Sequence, residues 1–153
     1  MPCLLPYGKV AAQDYAEIMD LYARYNLASD TGDPEEYAHC FAPDGLLCVR
    51  DLEIADGKLV RGTGEIRIQG RRDLAVFKRK DQAGRGGRYR RHWNGSIALE
   101  ALGDGRVRGR AYLQAFDGQP GAAPVLAQTG VYEDVLVRID GEWTFATRTL
   151  TID

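Results

Sequence analysis

Two residues of this sequence have side chains of a type suited to acid–base chemistry, Asp30 and His92. Asp30 falls at the end of the first predicted helix, where its carboxylate faces the negative end of the helix dipole at a cost of roughly 0.3 to 1 kcal/mol. A residue placed against a local preference in this way is often functional. His92 is one of two histidines, and an imidazole of ordinary pKa, about 6.5, can exchange a proton near neutral pH. Each residue also fits a structural role, Asp30 in a solvated turn and His92 as a satisfied strand residue.

Tyrosines could complete such a site. The sequence has eight tyrosines against four phenylalanines, which favours a pocket with apolar walls and polar tips. For any single tyrosine, plain core packing is the favoured explanation. Asn94 follows His92 on the same strand face and could line the pocket or belong to a polar outward face. The predicted substrate-binding residues are Tyr22, Tyr25, Asn94, Tyr112 and Tyr132.

The elements that position these residues begin with two helices. Apolar and aromatic residues recur at helical spacing from Tyr15 to Ala28, so a helix is predicted over 14–31, with Asp14 as its start and Gly32 in a left-handed turn after its end. Asp33 and Pro34 predict the start of a second short helix, which should stop at 43–45. A third helix is predicted from Thr63 to about residue 80.

The remaining segments read as strands. A strand over 46–52 and a hairpin turn at Asp56 and Gly57 lead to a short strand over 59–61. Four longer strands over 88–102, 106–116, 125–139 and 142–152 are separated by turn signals and predict an antiparallel meander. Helices and then strands without βαβ alternation indicate an α+β domain spanning 1–153, with the helices on one face of the sheet.

The fifth predicted strand, 125–139, has apolar residues on both faces. Val131, Val135, Val137 and Ile139 alternate with Tyr132, Leu136 and Arg138. Because helices cover only one side of a sheet, the other row would form an apolar patch of the kind that marks an interface. We therefore expect a homodimer or a homotrimer.

Composition narrows the possible partners. The net charge of -2 gives no general affinity for polyanions. Residues 67–91 hold ten Lys and Arg, but this stretch has few aromatic residues, so a solvated face or electrostatic steering of an anionic substrate explains it better than nucleic-acid binding. Three cysteines without metal-ligand spacing favour reduced thiols in the cytoplasm and neither a disulfide framework nor a zinc site. No apolar run approaches the length of a membrane span.

The same residues resemble a known family. The helix end at 24–33, the strand residues Arg91 and His92, the segment 130–134 and the hairpin 138–143 with Arg148 are similar to the SnoaL-like branch of the nuclear-transport-factor-two-like superfamily. The resemblance covers nearly the whole chain. It implies a conical α+β barrel in which a strongly curved, mixed, mostly antiparallel sheet wraps about three helices and leaves a pocket between them.

Within that superfamily, Asp30 and His92 match the catalytic dyad of the scytalone dehydratases. The resemblance implies cofactor-independent acid–base catalysis, without a metal, on a small aromatic or polyketide-like molecule: dehydration, a related C–C cleavage or isomerisation. The sequence departs from that pattern at Ser29, where those enzymes have a tyrosine, at 111–112, which lacks their second histidine, and at Gly130 and Tyr132. These departures leave a second hypothesis, a non-catalytic small-molecule binding or assembly module of the same fold.

Overall fold

The computed structural model describes residues 7–55 and 58–153, in which three helices pack on one side of a six-stranded sheet. No helix in these ranges is long and apolar enough to cross a bilayer. The elements are α1 (Ala12–Thr31), α2 (Pro34–His39), β1 (Phe41–Ala55), β2 (Lys58–Gln69), α3 (Arg71–Ala83), β3 (Tyr89–Ala101), β4 (Val107–Gly118), β5 (Val125–Ile139) and β6 (Glu142–Ile152).

The sheet has the order β2-β1-β6-β5-β4-β3. β1 and β6 are parallel, and all other neighbours are antiparallel. The predicted meander of β3 to β6 and the predicted α+β class are therefore confirmed, with a sheet that curls around the helices and stays open at β2 and β3. The predicted hairpin turn at 56–57 lies outside the described residues.

The ends of α1 differ from the prediction. The helix begins at Ala12, and its N-cap residue Ala11 makes no side-chain cap. Asp14 lies in the first turn and accepts hydrogen bonds from Arg138 and, at 3.3 Å, from Trp143 Nε1, so a tertiary contact uses the carboxylate expected to cap. Gly32 follows the helix as expected, but its φ of -87° and ψ of -174° are extended and not left-handed.

The second helix begins as predicted. Asp33 Oδ1 accepts a hydrogen bond from the Glu35 N–H at 2.9 Å, and Pro34 is the first helical residue. α2 ends at His39, earlier than the predicted stop, because Phe41 already belongs to β1 and pairs with β6.

The prediction of a helix from Thr63 was wrong, because residues 63–69 belong to β2. Ile66 and Ile68 alternate along this strand, pair with β1 and pack against the core. Gly70, at a φ of 86°, then turns the chain into α3. The apparent helical spacing joined residues on the two sides of this glycine. The strands β1 and β2 are correspondingly longer than predicted.

An extra residue in β6 changes which of its side chains face the helices. Leu136 pairs with Phe145 and Val135 pairs with Thr147, which leaves Ala146 as a bulge. As a result Phe145 and Arg148 are both fully buried on the helix side. Strict alternation along a strand would place these two residues on opposite faces.

The other side of the sheet is here called the outer face. Along β5, Tyr132 and Leu136 are buried under the helices, so the alternating residues lie on the outer face and are partly exposed: Val131, Val135, Val137 and Ile139. Trp93 and Phe116 lie on the outer face of the neighbouring strands with ring centroids 5.4 Å apart, and Trp93 is 63% exposed.

Candidate active site

Asp30 and His92 meet where the end of α1 crosses β3. Asp30 Oδ1 lies 2.5 Å from His92 Nδ1, and Asp30 Oδ2 accepts a hydrogen bond from the His92 backbone N–H at 3.0 Å. Because an ionised carboxylate has no proton to donate, Nδ1 is the donor and Nε2 carries the lone pair. The side chains are only 12% and 6% exposed for His92 and Asp30. The pair is thus fixed at two points, and the second imidazole nitrogen can accept a proton.

A second polar pair lies one helical turn away. Asn26 Nδ2 donates to Asn94 Oδ1 at 3.0 Å, and Asn94 Nδ2 donates to the Tyr112 carbonyl oxygen at 3.3 Å. Asn26 and Asp30 share a face of α1 because they are four residues apart, and His92 and Asn94 share a face of β3 because they are two apart. The two contacts together fix the rotation of α1 against β3.

Burial sets the protonation state of His92. It lowers the pKa of the imidazole below the usual 6.5, and the positive charges of Lys78 and Arg90 lower it further, against the opposing hydrogen bond and charge of Asp30. The ring is therefore neutral at pH 7. A neutral imidazole that donates from Nδ1 is the form that acts as a base through Nε2.

A buried arginine lies in the interior between the sheet and α1. Arg148 is 0% exposed, and its guanidinium carbon is 3.7 Å from the ring centroid of Tyr132, 4.1 Å from that of Tyr25, 4.4 Å from that of Phe145 and 4.9 Å from that of Tyr22. Within the described ranges, none of its three side-chain nitrogens has a hydrogen-bond partner. Cation–π contacts therefore surround this charge. Three of the predicted substrate-binding tyrosines belong to this cluster.

Asp134 is the counter-ion of Arg148. The two residues are direct cross-strand partners in β5 and β6, with Asp134 Oδ1 3.8 Å from Arg148 Nε, which is a charge contact and too long for a hydrogen bond. Asp134 Oδ2 accepts a hydrogen bond from the Tyr22 hydroxyl at 2.5 Å. Burial raises the pKa of Asp134 to about 6, although Arg148 and Tyr22 both act to lower it.

The buried phenols remain protonated. Burial raises the pKa of Tyr22, Tyr25 and Tyr132 above the usual 10. The Tyr25 hydroxyl is 3.2 Å from that of Tyr37, so these two phenols are within hydrogen-bond distance of each other. A protonated phenol in a dry site can donate a hydrogen bond to an oxygen that becomes negative.

Lys78 adds a second buried cation, from α3. Its side chain is 6% exposed, and its Nζ donates to Ser29 Oγ at 2.9 Å and to Asp81 Oδ2 at 3.0 Å. The same nitrogen lies 4.5 Å from the ring centroid of Tyr37. Burial lowers the pKa of Lys78, and the charge of Asp81 opposes this shift. Because Ser29 directly precedes Asp30, Lys78 connects α3 to the helix end that carries the carboxylate.

Tyr112 is not part of this arrangement. Its neighbours Ala111 and Leu113 are buried under the helices, so the alternation of β4 places Tyr112 on the outer face, where it is 59% exposed. The prediction that the Tyr112 phenol lies inside a pocket was therefore wrong. Tyr112 contacts the site residue Asn94 only through its backbone carbonyl oxygen in the described hydrogen bonds.

A cleft of about 450 Å³ lies elsewhere, between the β1–β2 strands and the ends of β5 and β6. It contains none of the predicted site residues. Its lining residues are Leu52, Val60, Arg61, Leu126, Ala127, Gln128, Thr129, Ile152 and Asp153.

Three buried charges were missed by the sequence reasoning. Asp134 carried a signal, because it alternates with Tyr132 and Leu136 on the buried face of β5. Lys78 also carried one, since it follows the buried Leu74 by four residues in α3. Arg148 belongs to the residues of the family resemblance, but periodicity gave no signal of its burial, because the bulge in β6 reverses the face that strict alternation gives it.

The fold and the site define a class of protein. A family model described as the SnoaL-like domain matches residues 10–149, so the chain belongs to the SnoaL-like family. This confirms the predicted resemblance to the SnoaL-like branch, whereas the match of Asp30 and His92 to the scytalone dehydratases stays a prediction. Among curated proteins, none matches the chain.

Solved structures support the same assignment. ActVI-ORFA from Streptomyces coelicolor is 23% identical, with a TM-score of 0.77 over 94% of this chain and 97% of that chain. Rv3472 from Mycobacterium tuberculosis, a protein of unknown function, is 27% identical, with a TM-score of 0.72 over 92% of this chain and 72% of that chain. A Catenulispora acidiphila protein in complex with S-DNPA is 26% identical, with a TM-score of 0.72 over 94% and 96%.

Proposed function

We propose that this protein is a cofactor-independent lyase or isomerase, active in the cytoplasm on a small aromatic or polyketide-like molecule, with Asp30 and His92 as its catalytic residues. The observation that carries the proposal is the contact of 2.5 Å between Asp30 Oδ1 and His92 Nδ1 in a site that is almost completely buried. This contact orients the imidazole, fixes its tautomer and stabilises the imidazolium that forms when Nε2 takes a proton.

The reaction that we favour is an elimination. Nε2 of His92 removes a proton from a carbon atom of the substrate, and the electrons of that C–H bond form a C=C bond as a neighbouring hydroxyl leaves. The imidazolium returns the proton to the hydroxyl, which leaves as water. If the proton returns to a different carbon instead, the outcome is isomerisation. Both reactions need only one base that is neutral at the working pH and an oriented carboxylate.

The buried phenols supply the second requirement of such a reaction. Proton removal next to a carbonyl puts negative charge on oxygen, and a donor that is already oriented stabilises that charge. Tyr25 and Tyr132 are protonated donors, and Asn94 adjoins the dyad through Asn26. The ligand S-DNPA belongs to the Catenulispora protein, and it supports a small molecule as the class of ligand for the present site.

Deuterium exchange tests the base without knowledge of the natural substrate. A panel of hydroxylated aromatic and cyclic ketones is incubated with the protein in D₂O, and mass spectrometry follows deuterium uptake and loss of water. The variants Asp30→Asn and His92→Gln should each lower the rate by about 10²- to 10⁴-fold, the usual contribution of a positioned acid–base group. The matched control is His39→Gln, because His39 is exposed on α2 and its Nδ1 lies 2.8 Å from the Glu35 carbonyl oxygen, away from the dyad. Wild-type rates in both dyad variants would show that the pair is not catalytic.

A second candidate function has one observation in its favour. The rings of Tyr22, Tyr25, Tyr132 and Phe145 pack around Arg148 and fill the interior between α1 and the sheet. A non-catalytic binding or assembly module would keep this core and the dyad as structure. In that case the exchange experiment gives no turnover with any variant, while calorimetry with the same panel still detects binding.

A further inference from the structure

The last turn of α1 is held by side chains from the end of α3. Arg85 Nη1 donates to the Asp30 carbonyl oxygen at 2.7 Å, and Arg85 Nη2 donates to the Ser29 carbonyl oxygen at 3.1 Å. Gln82 Nε2 lies 3.1 Å from the Ala28 carbonyl oxygen, 3.3 Å from that of Ser29 and 3.2 Å from that of Gly32. Three of the last four carbonyl groups of α1 and the carbonyl of Gly32 therefore lie within hydrogen-bond distance of donors from the end of α3 and the turn after it.

These donors offset the unfavourable position of the Asp30 carboxylate at the end of a helix. A carboxylate at the end of a helix is repelled by the partial negative charge of the terminal carbonyls. The guanidinium of Arg85 brings a positive charge to two of those carbonyls, including that of Asp30 itself. Lys78 brings another to the side chain of Ser29. The backbone that carries Asp30 is thus fixed by contacts that do not touch its carboxylate.

Asp81 connects the two cations. Its Oδ2 atom accepts from Lys78 Nζ at 3.0 Å and from Arg85 Nη2 at 2.7 Å, and both cations are nearly buried, with 6% and 12% of their side chains exposed. Burial alone would raise the pKa of Asp81, but Lys78 and Arg85 hold it below the usual range. Without this carboxylate, two buried cations would repel each other across the space that it occupies.

We propose that Asp81 is a positioning residue for the Asp30–His92 pair: by holding Lys78 and Arg85 together, it fixes the end of α1 and with it the distance between the Asp30 carboxylate and His92 Nδ1. The proposal concerns the geometry of the pair and rests on the proposed function only where turnover is used as a readout. Asp81 acts through the backbone of residues 29 and 30 and makes no contact with the imidazole in the described hydrogen bonds.

The test is nuclear magnetic resonance of the two histidines in Asp81→Asn, a substitution of nearly the same shape. Loss of this carboxylate lets the end of α1 move, and a displaced Asp30 no longer fully raises the pKa of His92. We therefore expect the His92 titration to move to lower pH and the downfield Nδ1–H resonance to move upfield or to exchange faster. Signals are assigned with His39→Gln. The matched control is Asp73→Asn, an exposed carboxylate in the first turn of the same helix.

A second variant covers the case in which Asp81→Asn does not fold. Arg85→Lys keeps the charge but loses the planar fork that spans two carbonyls, and should give the same displacement of the Nδ1–H signal. Where turnover is measurable, kcat should fall by on the order of tenfold to a hundredfold with little change in KM. A His92 titration and Nδ1–H signal equal to those of Asp73→Asn in both variants would overturn the proposal. That outcome needs no substrate, so it is distinct from failure of the proposed function, which is read from Asp30→Asn turnover.

Discussion

The buried carboxyl of Asp134 should make the protein less stable as the pH rises through about 6. Its pKa is about 6 in the folded protein against 3.8 ordinarily, so between these values the folded state holds a proton that the unfolded state has lost. The slope of the unfolding free energy against pH is proportional to the number of protons bound by the unfolded state minus the number bound by the folded state. This difference is negative here, so stability falls as the pH rises. A shift of roughly two pKa units corresponds to about 3 kcal/mol. This loss of stability is absent below the pKa of the unfolded state and complete above the pKa of the folded state.

His92 acts in the opposite direction and must be separated from Asp134. Because its pKa is lowered in the folded protein, its protonation destabilises the fold as the pH falls below about 6.5. The variant Asp134→Asn removes the titration of Asp134 and leaves that of His92. It also leaves the Arg148 charge without its counter-ion, which lowers stability at every pH, so the informative quantity is the slope and not the offset.

Urea unfolding at pH steps between about 4.5 and about 7.5 measures the effect. The free energy of unfolding of the wild type minus that of Asp134→Asn should decrease by about 2 kcal/mol over this range, because about 1 kcal/mol of the total is already lost at a pH of about 4.5. Asp73→Asn, an exposed carboxylate on α3, provides the control for a carboxylate of ordinary surroundings. A difference curve that is flat or rises with pH would show that the contact with Arg148 outweighs the burial of Asp134, and the reasoning would be refuted.

Three further predictions test packing, assembly and a surface contact. Gly109→Ala should destabilise the fold by about 1 to 3 kcal/mol in urea unfolding, because the added Cβ would overlap the Tyr22 hydroxyl; a stability equal to wild type would show that Tyr22 can move. Light scattering should give a molar mass of a dimer or a trimer of the 16.9 kDa chain, and Trp93→Ser should lower it to the mass of one chain. A wild-type mass of one chain would exclude an interface on the outer face. Asp14→Ala should change the unfolding midpoint far less than Gly109→Ala, since its contact with Arg138 is solvent-accessible; an equally large loss would contradict this.

Local patterns predicted most of the fold, because its elements follow simple periodicities. Periodicity predicted the shared face of Tyr132, Asp134 and Leu136 in β5. Residue type predicted the helix start at Asp33 and Pro34. The approximate place of Asp30 at the end of α1 also followed from helical spacing. Its partner His92 was named from the family resemblance, since periodicity does not reveal which distant residues meet.

The parts that were missed depend on interruptions of periodicity and on tertiary contacts. A bulge at Ala146 shifts Arg148 to the buried face, and no local signal marks it. The donors that hold the end of α1, Gln82 and Arg85, were missed because the helix was predicted to end at about residue 80, whereas α3 runs to Ala83 and is followed by Arg85. Tyr112 was assigned to a pocket by residue type alone, although Ala111 and Leu113 beside it already indicated the buried face of β4.

The parallel pairing of β1 with β6 has a consequence for how the chain folds. Phe41 pairs with Phe145 and Arg50 pairs with Thr151, so partners in the middle of the sheet are about a hundred residues apart. Pairing at such separation is slow, because the entropy of closing a long loop is lost before the contacts form. During synthesis α1, α2, β1 and β2 emerge long before β6, and the edge of β1 stays open to other chains in the meantime. The rate of folding, and the yield in a cell, should therefore depend more on substitutions in β6 than on equally destabilising ones in β3.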